Sequence, residues 1–287
     1  PFIGGASVLL ALLDSEIEVE TFRCSDTNAR LIDIWNLIKE APDDLIESYT
    51  QLWKKLQREG SDFYYSTRFA FNADHDPRKL FFLMRTCRMM RYNEAGEFNA
   101  GFRHRRGGIH PDKLSFDVKH FSKKLRAHDV EFEVKDYRNV RTQVGDFVYL
   151  DPPYESAHMN YYGGAFDYPA LWNWLEQLPC RFALSFDNNI PSHLYSDSYP
   201  ISKHRTDKLY VSVKAATTAS EPPSPISQQA DAQHRNSSGV EPEMKQGKKS
   251  GGTPSSVEED LAKFIQNRIK ERSRSEGRLN RTRALGD

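Results

Sequence analysis

The chain has 287 residues and carries 40 Lys and Arg against 40 Asp and Glu. A formal charge of zero supplies no global field, so a polyanionic partner has to be held by a local patch. Hydrophobic residues make up 38%, and the apolar run Ala6–Leu13 falls far short of the roughly 18–20 residues that span a bilayer, so a soluble protein with no membrane partner is expected. Cys24, Cys87 and Cys180 are too widely spaced and too few for a disulfide framework or a ligand-spaced metal cluster, and a reducing, cytoplasmic compartment is expected. Because the chain opens on Pro1 with no initiator Met and no cleavable hydrophobic segment, it reads as a fragment that begins inside a domain.

In chain order, Gly4-Gly5 opens the apolar run Ala6–Leu13, which reads as helical. Ile17–Arg23 alternates like a short strand, and Ala29–Ile38 carries helical periodicity. Phe147–Leu150 is an apolar strand that runs into Asp151-Pro152-Pro153-Tyr154, and Phe182–Phe186 is another that ends in Asp-Asn-Asn. Strands alternating with helices imply a mainly parallel sheet, and ligands on such sheets sit outside the carboxyl ends of the strands. From Tyr210 to Phe264 no aromatic residue occurs, and residues 214–256 are dense in Ser, Pro, Gly, Gln and Ala. That composition predicts a disordered linker. Residues 257–287 read as a basic helical tail, with Val257, Leu261, Phe264, Ile265 and Ile269 at helical spacing; it suits either a solvated helix or a nucleic-acid or partner-binding arm.

Asp151-Pro152-Pro153-Tyr154 is the strongest chemical signal. Two successive prolines forbid helix and remove two backbone donors, leaving an extended segment with outward carbonyls between a carboxylate and an aromatic ring. Such a clamp suits a planar group that bears an amino function, although Asp-Pro also opens ordinary turns. The glycine pair Gly4-Gly5 permits close approach of a ligand to backbone N–H groups. Asp26 follows Gly4 by 22 positions, near the spacing at which a carboxylate at the end of the second strand meets ribose hydroxyls. Together these point to a nucleoside-cofactor site.

Four blocks, Phe2-Ile-Gly-Gly-Ala-Ser-Val8, Ser25-Asp26-Thr-Asn-Ala-Arg-Leu-Ile32, Arg91-Tyr-Asn-Glu-Ala-Gly-Glu-Phe-Asn99 and Gly145-Asp-Phe-Val-Tyr-Leu-Asp-Pro-Pro-Tyr154, stand in the order in which they occur in the Dam-type DNA adenine methyltransferases. The resemblance covers about residues 1–213. It implies a Rossmann-like α/β fold, S-adenosylmethionine as cofactor, and methyl transfer to an adenine of double-stranded DNA. Phe2, Gly4 and Gly5 would line the cofactor pocket, Asp26 would hold the ribose, and Asp136 would lie near the cofactor's adenine. Asp151 and the Pro152 carbonyl would accept from the target amine, beside Pro153, and Tyr154 would stack on the base, with Asp151 also bordering the cofactor. The family's Lys-Trp-Gly-Gly-Lys-like block has no counterpart ahead of Pro1, and Arg85–Asn93 looks about two residues shorter than the family pattern.

The chemistry has a physical rationale of its own. Adenine's exocyclic amine is a poor nucleophile because its lone pair is delocalised, and acceptors at its two protons favour the pyramidal geometry reached in the transition state. A sulfonium donor is already a strong electrophile, so alignment supplies much of the rest, with no metal or covalent nucleophile required. The base must leave the duplex to reach such a pocket, and Tyr161, Tyr162 and Phe166 are candidates for its opposing face, or for simple packing.

Gly4 and Asp151 lie 147 residues apart, whereas the minimal intervening strand and helix units need roughly 60–80. The surplus predicts a small, mainly helical DNA-recognition module at 42–114, inserted between a cofactor part at 1–41 and a catalytic part at 115–213. Within it, Arg78, Lys79, Arg85, Arg88, Arg91, Arg103, Arg105 and Arg106 face only Glu94 and Glu97, a net of +6. A charge run is usually a solvated face, but here Arg88, Arg91, Asn93, Arg103, Arg105 and Arg106 are the candidates for DNA contact. Rival readings are a cytosine-N4 DNA methyltransferase, a catalytically inactive DNA-binding remnant, and an RNA or protein methyltransferase, whose relatives usually begin the proline motif with Asn. Recognition sequence and oligomeric state are not legible, and restriction-modification, replication control and phage self-protection would all leave the same residues.

Overall fold

The computed structural model describes residues 1–93, 95–103, 108–155, 166–201 and 207–212. The expected linker at 214–256 and helical tail at 257–287 lie outside the described residues, as do Glu94, Arg105, Arg106, Tyr161 and Tyr162.

The apolar run behind the glycine pair coils into helix α1 (Ser7–Leu12). Such a helix has no polar face and must be covered on more than one side. Leu9 and Leu13 are buried in the largest of three core clusters, while Val8 and Leu12 pack on Ala183, Leu209 and Val211 of the smallest. Strand β1 (Phe22–Asp26) begins later than the expected Ile17–Arg23. The alternation of Glu16, Ile17, Glu18, Val19 and Glu20 has period two, but its ladder starts only where Phe22 N–H reaches the Asp129 carbonyl at 2.8 Å. Ile17 and Val19 pack instead from a loop.

Helix α2 (Ala29–Glu40) starts at Asn28, whose side chain accepts from Leu31 N–H, as expected of an N-cap. Helix α3 (Pro42–Glu59) has Pro42 in its first turn followed by Asp43 and Asp44, and stops at Gly60 (φ 68°). Helix α4 (Ser61–Asp74) stops at a left-handed His75, and α5 (Pro77–Thr86) is capped by the Asp76 side chain. Helix α6 (Pro111–Ala127) leads into strand β2 (Val130–Val134), which pairs with β1 in parallel, Asp26 opposite Val134. Strand β3 (Phe147–Leu150), helix α7 (Tyr168–Gln177) and strand β4 (Arg181–Phe186) follow, then β5 (Asp197–Pro200) and β6 (Lys208–Val211).

The hydrogen-bonded sheets are β1-β2 and β3-β4-β6-β5. β3 and β4 run parallel, Leu150 opposite Leu184, whereas β6 is antiparallel to both of its neighbours. The expected predominance of parallel pairing thus holds for β1-β2 and β3-β4 and stops at the last two strands.

Helices α2 to α6 share one core with β1 and β2, built on Ile34, Trp35, Ile38, Leu45, Tyr49, Tyr64, Phe71 and Leu80–Leu83. Between α5 and α6 the chain doubles back, with antiparallel bridges Cys87 to Phe102 and Tyr92 to Phe98. One face of α4 bolts the returning arm in place through three residues spaced four apart. Tyr64 Oη donates to the Ala100 carbonyl at 2.9 Å, Arg68 donates to the same carbonyl at 3.2 Å, and Asn72 exchanges two bonds with Phe98 at 3.1 and 3.0 Å.

The path into α6 depends on Gly108. Its φ is +90°, and a Cβ there would meet the Thr86 methyl at 2.7 Å and the Tyr49 hydroxyl at 3.1 Å, while that hydroxyl donates to the neighbouring Ile109 carbonyl at 2.7 Å. Gly108→Ala combines left-handed strain with overpacking and should lower stability by roughly 2–4 kcal/mol. The shift of the urea unfolding midpoint at constant slope measures it.

Candidate active site and nucleic-acid interface

The carboxyl ends of β1 and β2 carry two carboxylates. Asp26, the last residue of β1, accepts from Gly4 N–H at 3.2 Å on one oxygen and from Asn28 N–H at 3.0 Å on the other. Ile3 N–H donates to the Ser25 carbonyl at 3.0 Å, and Trp35 Nε1–H donates to the Gly4 carbonyl at 3.0 Å. The glycine segment is therefore laid across the end of β1. Phe2 (φ 59°) and Ala6 (φ 51°) flank Gly4 (φ 47°) in left-handed backbone, a conformation that costs a non-glycine residue about 1–2 kcal/mol and that these bonds hold. A carboxylate oxygen has two acceptor sites, so both oxygens of Asp26 keep capacity for a ligand hydroxyl. Apart from its two chain neighbours, no atom of the described residues lies within 4 Å of where a Gly5 Cβ would sit, so packing within the described chain does not demand glycine there.

Asp136 lies two residues past β2, where Lys135 N–H donates to the Asp26 carbonyl at 3.0 Å. Its carboxylate caps a short 3-10 turn and receives the Arg138 guanidinium at 2.8 and 3.0 Å. That hydrogen bond holds the Asp136 carboxyl below the usual carboxylate range. The neighbouring Tyr137 is buried, with its ring 5.4 Å from Phe2. The structure thus brings Phe2, Gly4, Asp26 and Asp136 together at one strand-end edge.

The proline motif follows β3 directly. Asp151 is exposed and Pro152 buried, while Pro153 and Tyr154 are half-buried. Tyr154 Oη meets Ser185 Oγ at 2.5 Å, and burial, with the nearby Asp151 charge second, pushes its phenol well above the ordinary value. Tyr168 Oη donates to the Pro153 carbonyl at 3.1 Å. Glu155 N–H donates to Asp187 at 3.0 Å, and the Glu155 carboxylate receives Asn188 Nδ2. No described residue donates to the Pro152 carbonyl. An aromatic path joins this loop to the glycine segment: Phe2 lies 5.8 Å from Phe166, and Phe166 5.1 Å from Tyr168.

The expected DNA-contact residues lie on the α5–α6 hairpin. Arg88 and Arg91 are exposed, and Arg91 Nε reaches the Asn99 carbonyl at 3.4 Å. Asn93 folds back on its own turn, donating to Glu97 Oε2 and accepting from Glu97 N–H, each at 2.8 Å. Arg103 is half-buried, and its N–H donates to the Thr86 carbonyl at 3.1 Å. The positive patch is smaller in space than along the chain. Arg78 pairs with Asp44 and Asp76, and Lys79 pairs with Asp74, so acids outside the counted window neutralise two of its cations. Tyr92 of the hairpin packs half-buried against the core that α2 and β1 share. A surface hollow lined by Pro42, Asp43, Lys119, Ser122 and Arg126 contains none of these residues, and no described helix is long and apolar enough to cross a membrane.

A family model described as D12 class N6 adenine-specific DNA methyltransferase matches residues 1–202. The chain belongs to that family. It is 31% identical over 162 residues to a DNA adenine methylase of Serratia marcescens, covering 54% of this chain and 56% of the relative. It is 29% identical over 169 residues to the type II methyltransferase M.MjaIII of Methanocaldococcus jannaschii, covering 54% and 57%. The chain therefore spans little more than half the length of these two curated relatives. A longer match, 29% identity over 223 residues, covers 69% of the chain and 74% of the Lactococcus lactis type II methyltransferase M1.LlaDCHI.

Sequence reasoning did not single out Ser185, Tyr168, Asp187 and Asn188, which together hold the proline loop, nor Tyr64, Arg68 and Asn72, which hold the hairpin. For Ser185 a signal existed, a single hydroxyl within Phe182-Ala-Leu-Ser-Phe186. The helix residues carried none, because their partners are backbone atoms far along the chain.

The Asp136 bond to Arg138 has a pH signature. With its folded-state pKa depressed, Asp136 contributes stability that is fully present above the unfolded value of about 3.9 and is lost as pH falls through the folded value. Asp136→Asn should therefore be less stable than wild type at pH 7, with the difference shrinking below about pH 4. Thermal melts of both proteins across that range check it.

Proposed function

We propose that this family member is an S-adenosylmethionine-dependent DNA methyltransferase that modifies the N6 amine of an adenine flipped out of duplex DNA. What supports this most is one juxtaposition: two carboxylates at neighbouring strand ends beside a glycine segment, joined by Phe2, Phe166 and Tyr168 to the loop that carries Asp151–Tyr154.

The residues present fit the cofactor. Asp26 has spare acceptor capacity for ribose hydroxyls, the Asp136 carboxylate at the next strand end suits an adenine amine, and Phe2 supplies an apolar ring between them. S-adenosylmethionine, when bound, supplies the electrophilic methyl group. The chain's own contribution is positional and electrostatic. The Asp151 carboxylate and the Pro152 carbonyl accept the two protons of the target amine, which favours its nucleophilic geometry and stabilises the positive charge that grows on nitrogen. Tyr168 engages the Pro153 carbonyl, so that of Pro152 is left for the base. Tyr154, kept protonated by its surroundings, presents a neutral ring for stacking.

At the level of architecture, residues 1–41 and 115–213 form the cofactor and catalytic parts of one Rossmann-like domain, whose strands are hydrogen-bonded as β1-β2 and β3-β4-β6-β5, and 42–114 form an inserted DNA-recognition module. Its hairpin offers Arg88, Arg91 and Arg103 to phosphates or bases. Asn93 serves first to shape the turn.

Digestion of treated duplex DNA to nucleosides, followed by mass analysis, should reveal N6-methyldeoxyadenosine. N4-methyldeoxycytidine, or no methylated base at all, would overturn the proposal. Asp151→Ala should lower the transfer rate by about 100-fold or more. Asp26→Ala should weaken cofactor binding by roughly 10- to 100-fold, as measured by calorimetry.

A further inference from the structure

Strand β4 is apolar from Phe182 to Phe186 with one exception, Ser185, which is 3% exposed. A hydroxyl buried at that depth without a partner is destabilising. Its side-chain partner is the Tyr154 hydroxyl at 2.5 Å, the short end of the range for O–H···O bonds. Ser185 itself is immobile, because its residue pairs with Leu209 in the middle of the β4-β6 ladder.

Three further contacts leave the Tyr154 ring little freedom. Its neighbours along the chain are held by Tyr168 at the Pro153 carbonyl and by Asp187 at the Glu155 amide, and its ring packs edge-on to Phe186 at 6.2 Å and 79°. The backbone clamps set where the ring starts and Phe186 limits its tilt. The bond from Oη to Ser185 lies on the Cβ–Cγ axis, so it holds the far end of the ring and opposes swinging of the side chain about Cα–Cβ, while Phe186 opposes turning of the ring about that axis. A stacking partner must present one face at a defined angle, since a small misplacement at a reacting centre is costly to rate.

We propose that Ser185 is a positioning residue that anchors the far end of the Tyr154 ring, and so sets where the ring lies against the extruded base, with the floor of the β3 loop built by its neighbour β4. This rests on the function proposed above. The residue touches neither cofactor nor base and acts through Tyr154 alone.

The test compares wild type, Ser185→Ala, Tyr154→Phe and the double variant in steady-state methyl transfer, and in binding to duplex DNA that carries 2-aminopurine at the target position. Each single variant should lower kcat by roughly three- to tenfold, leave the KM for S-adenosylmethionine unchanged, and alter the 2-aminopurine fluorescence of the bound duplex relative to wild type. The double variant should be no worse than either single one, because both remove the same bond. A Ser185→Ala protein with wild-type kcat and fluorescence, or losses that multiply in the double variant, would overturn the proposal. Should Ser185→Ala fail to fold, Tyr154→Phe, which keeps the ring and removes the bond from the other side, decides by the same kcat and fluorescence readings. A wild type that transfers no methyl group and gives no 2-aminopurine response would instead sink the proposed function, and this inference with it.

Discussion

The Asp26 carboxylate is the joint on which the geometry turns. One oxygen takes the Gly4 amide and the other the Asn28 amide, so a single side chain ties the glycine segment before α1 to the end of β1 and to the start of α2. A carboxylate can do this and still accept from a ligand, because each bond uses one of about four lone-pair sites. An amide or hydroxyl at the same position would have fewer acceptor sites and no charge. The left-handed Phe2 and Ala6 show that the segment is held against its own backbone preference, and strain of that kind persists only where the surroundings over-determine it.

Three clusters of buried residues meet around α1 and Phe2. Leu9 and Leu13 are buried with the helical half, Val8 and Leu12 pack on the β4-β6 face, and Phe2 packs with the core that carries the proline loop. A helix apolar on every side suits a bridge of this kind and would be out of place on a surface. The consequence for function is that strand ends from two separately hydrogen-bonded sheets are placed by packing rather than by a continuous ladder. Side-chain volume along the path from Phe2 through Phe166 to Tyr168 then governs how the carboxylate edge and the Asp151 loop sit together.

Much of this was legible in the sequence where chemistry and periodicity coincide. The strand Phe147–Leu150 and the proline motif behind it are read directly, because an apolar run and two prolines leave little alternative. Asp26 was singled out through its spacing and Asp136 through the resemblance, and the fold puts the first at the end of β1 and the second two residues past β2. Ile17–Arg23 misled because alternation without a partner strand does not make a ladder, and β2 was missed because Val130–Val134 carries two glutamates and has a largely exposed face. The clamps on the proline loop and on the hairpin were illegible for another reason. They join side chains to backbone groups or to residues tens of positions away, and no local pattern encodes such pairs.

A chain of zero net charge can still present a local cationic surface, and the hairpin does so with few residues. Ion pairing to Asp44, Asp74 and Asp76 removes Arg78 and Lys79 from the cationic surface, and these pairs stiffen the start of α5 instead. Arg88 and Arg91 remain exposed on an arm that α4 fixes through Tyr64, Arg68 and Asn72. A few cations on a rigid arm lose less conformational entropy on contact with a phosphate backbone than the same number on a loose loop. Placement therefore matters more than the count of charges along the sequence. Tyr92 anchors that arm to the core that β1 and α2 share, so the hairpin and the strand end that carries Asp26 are packed on one body.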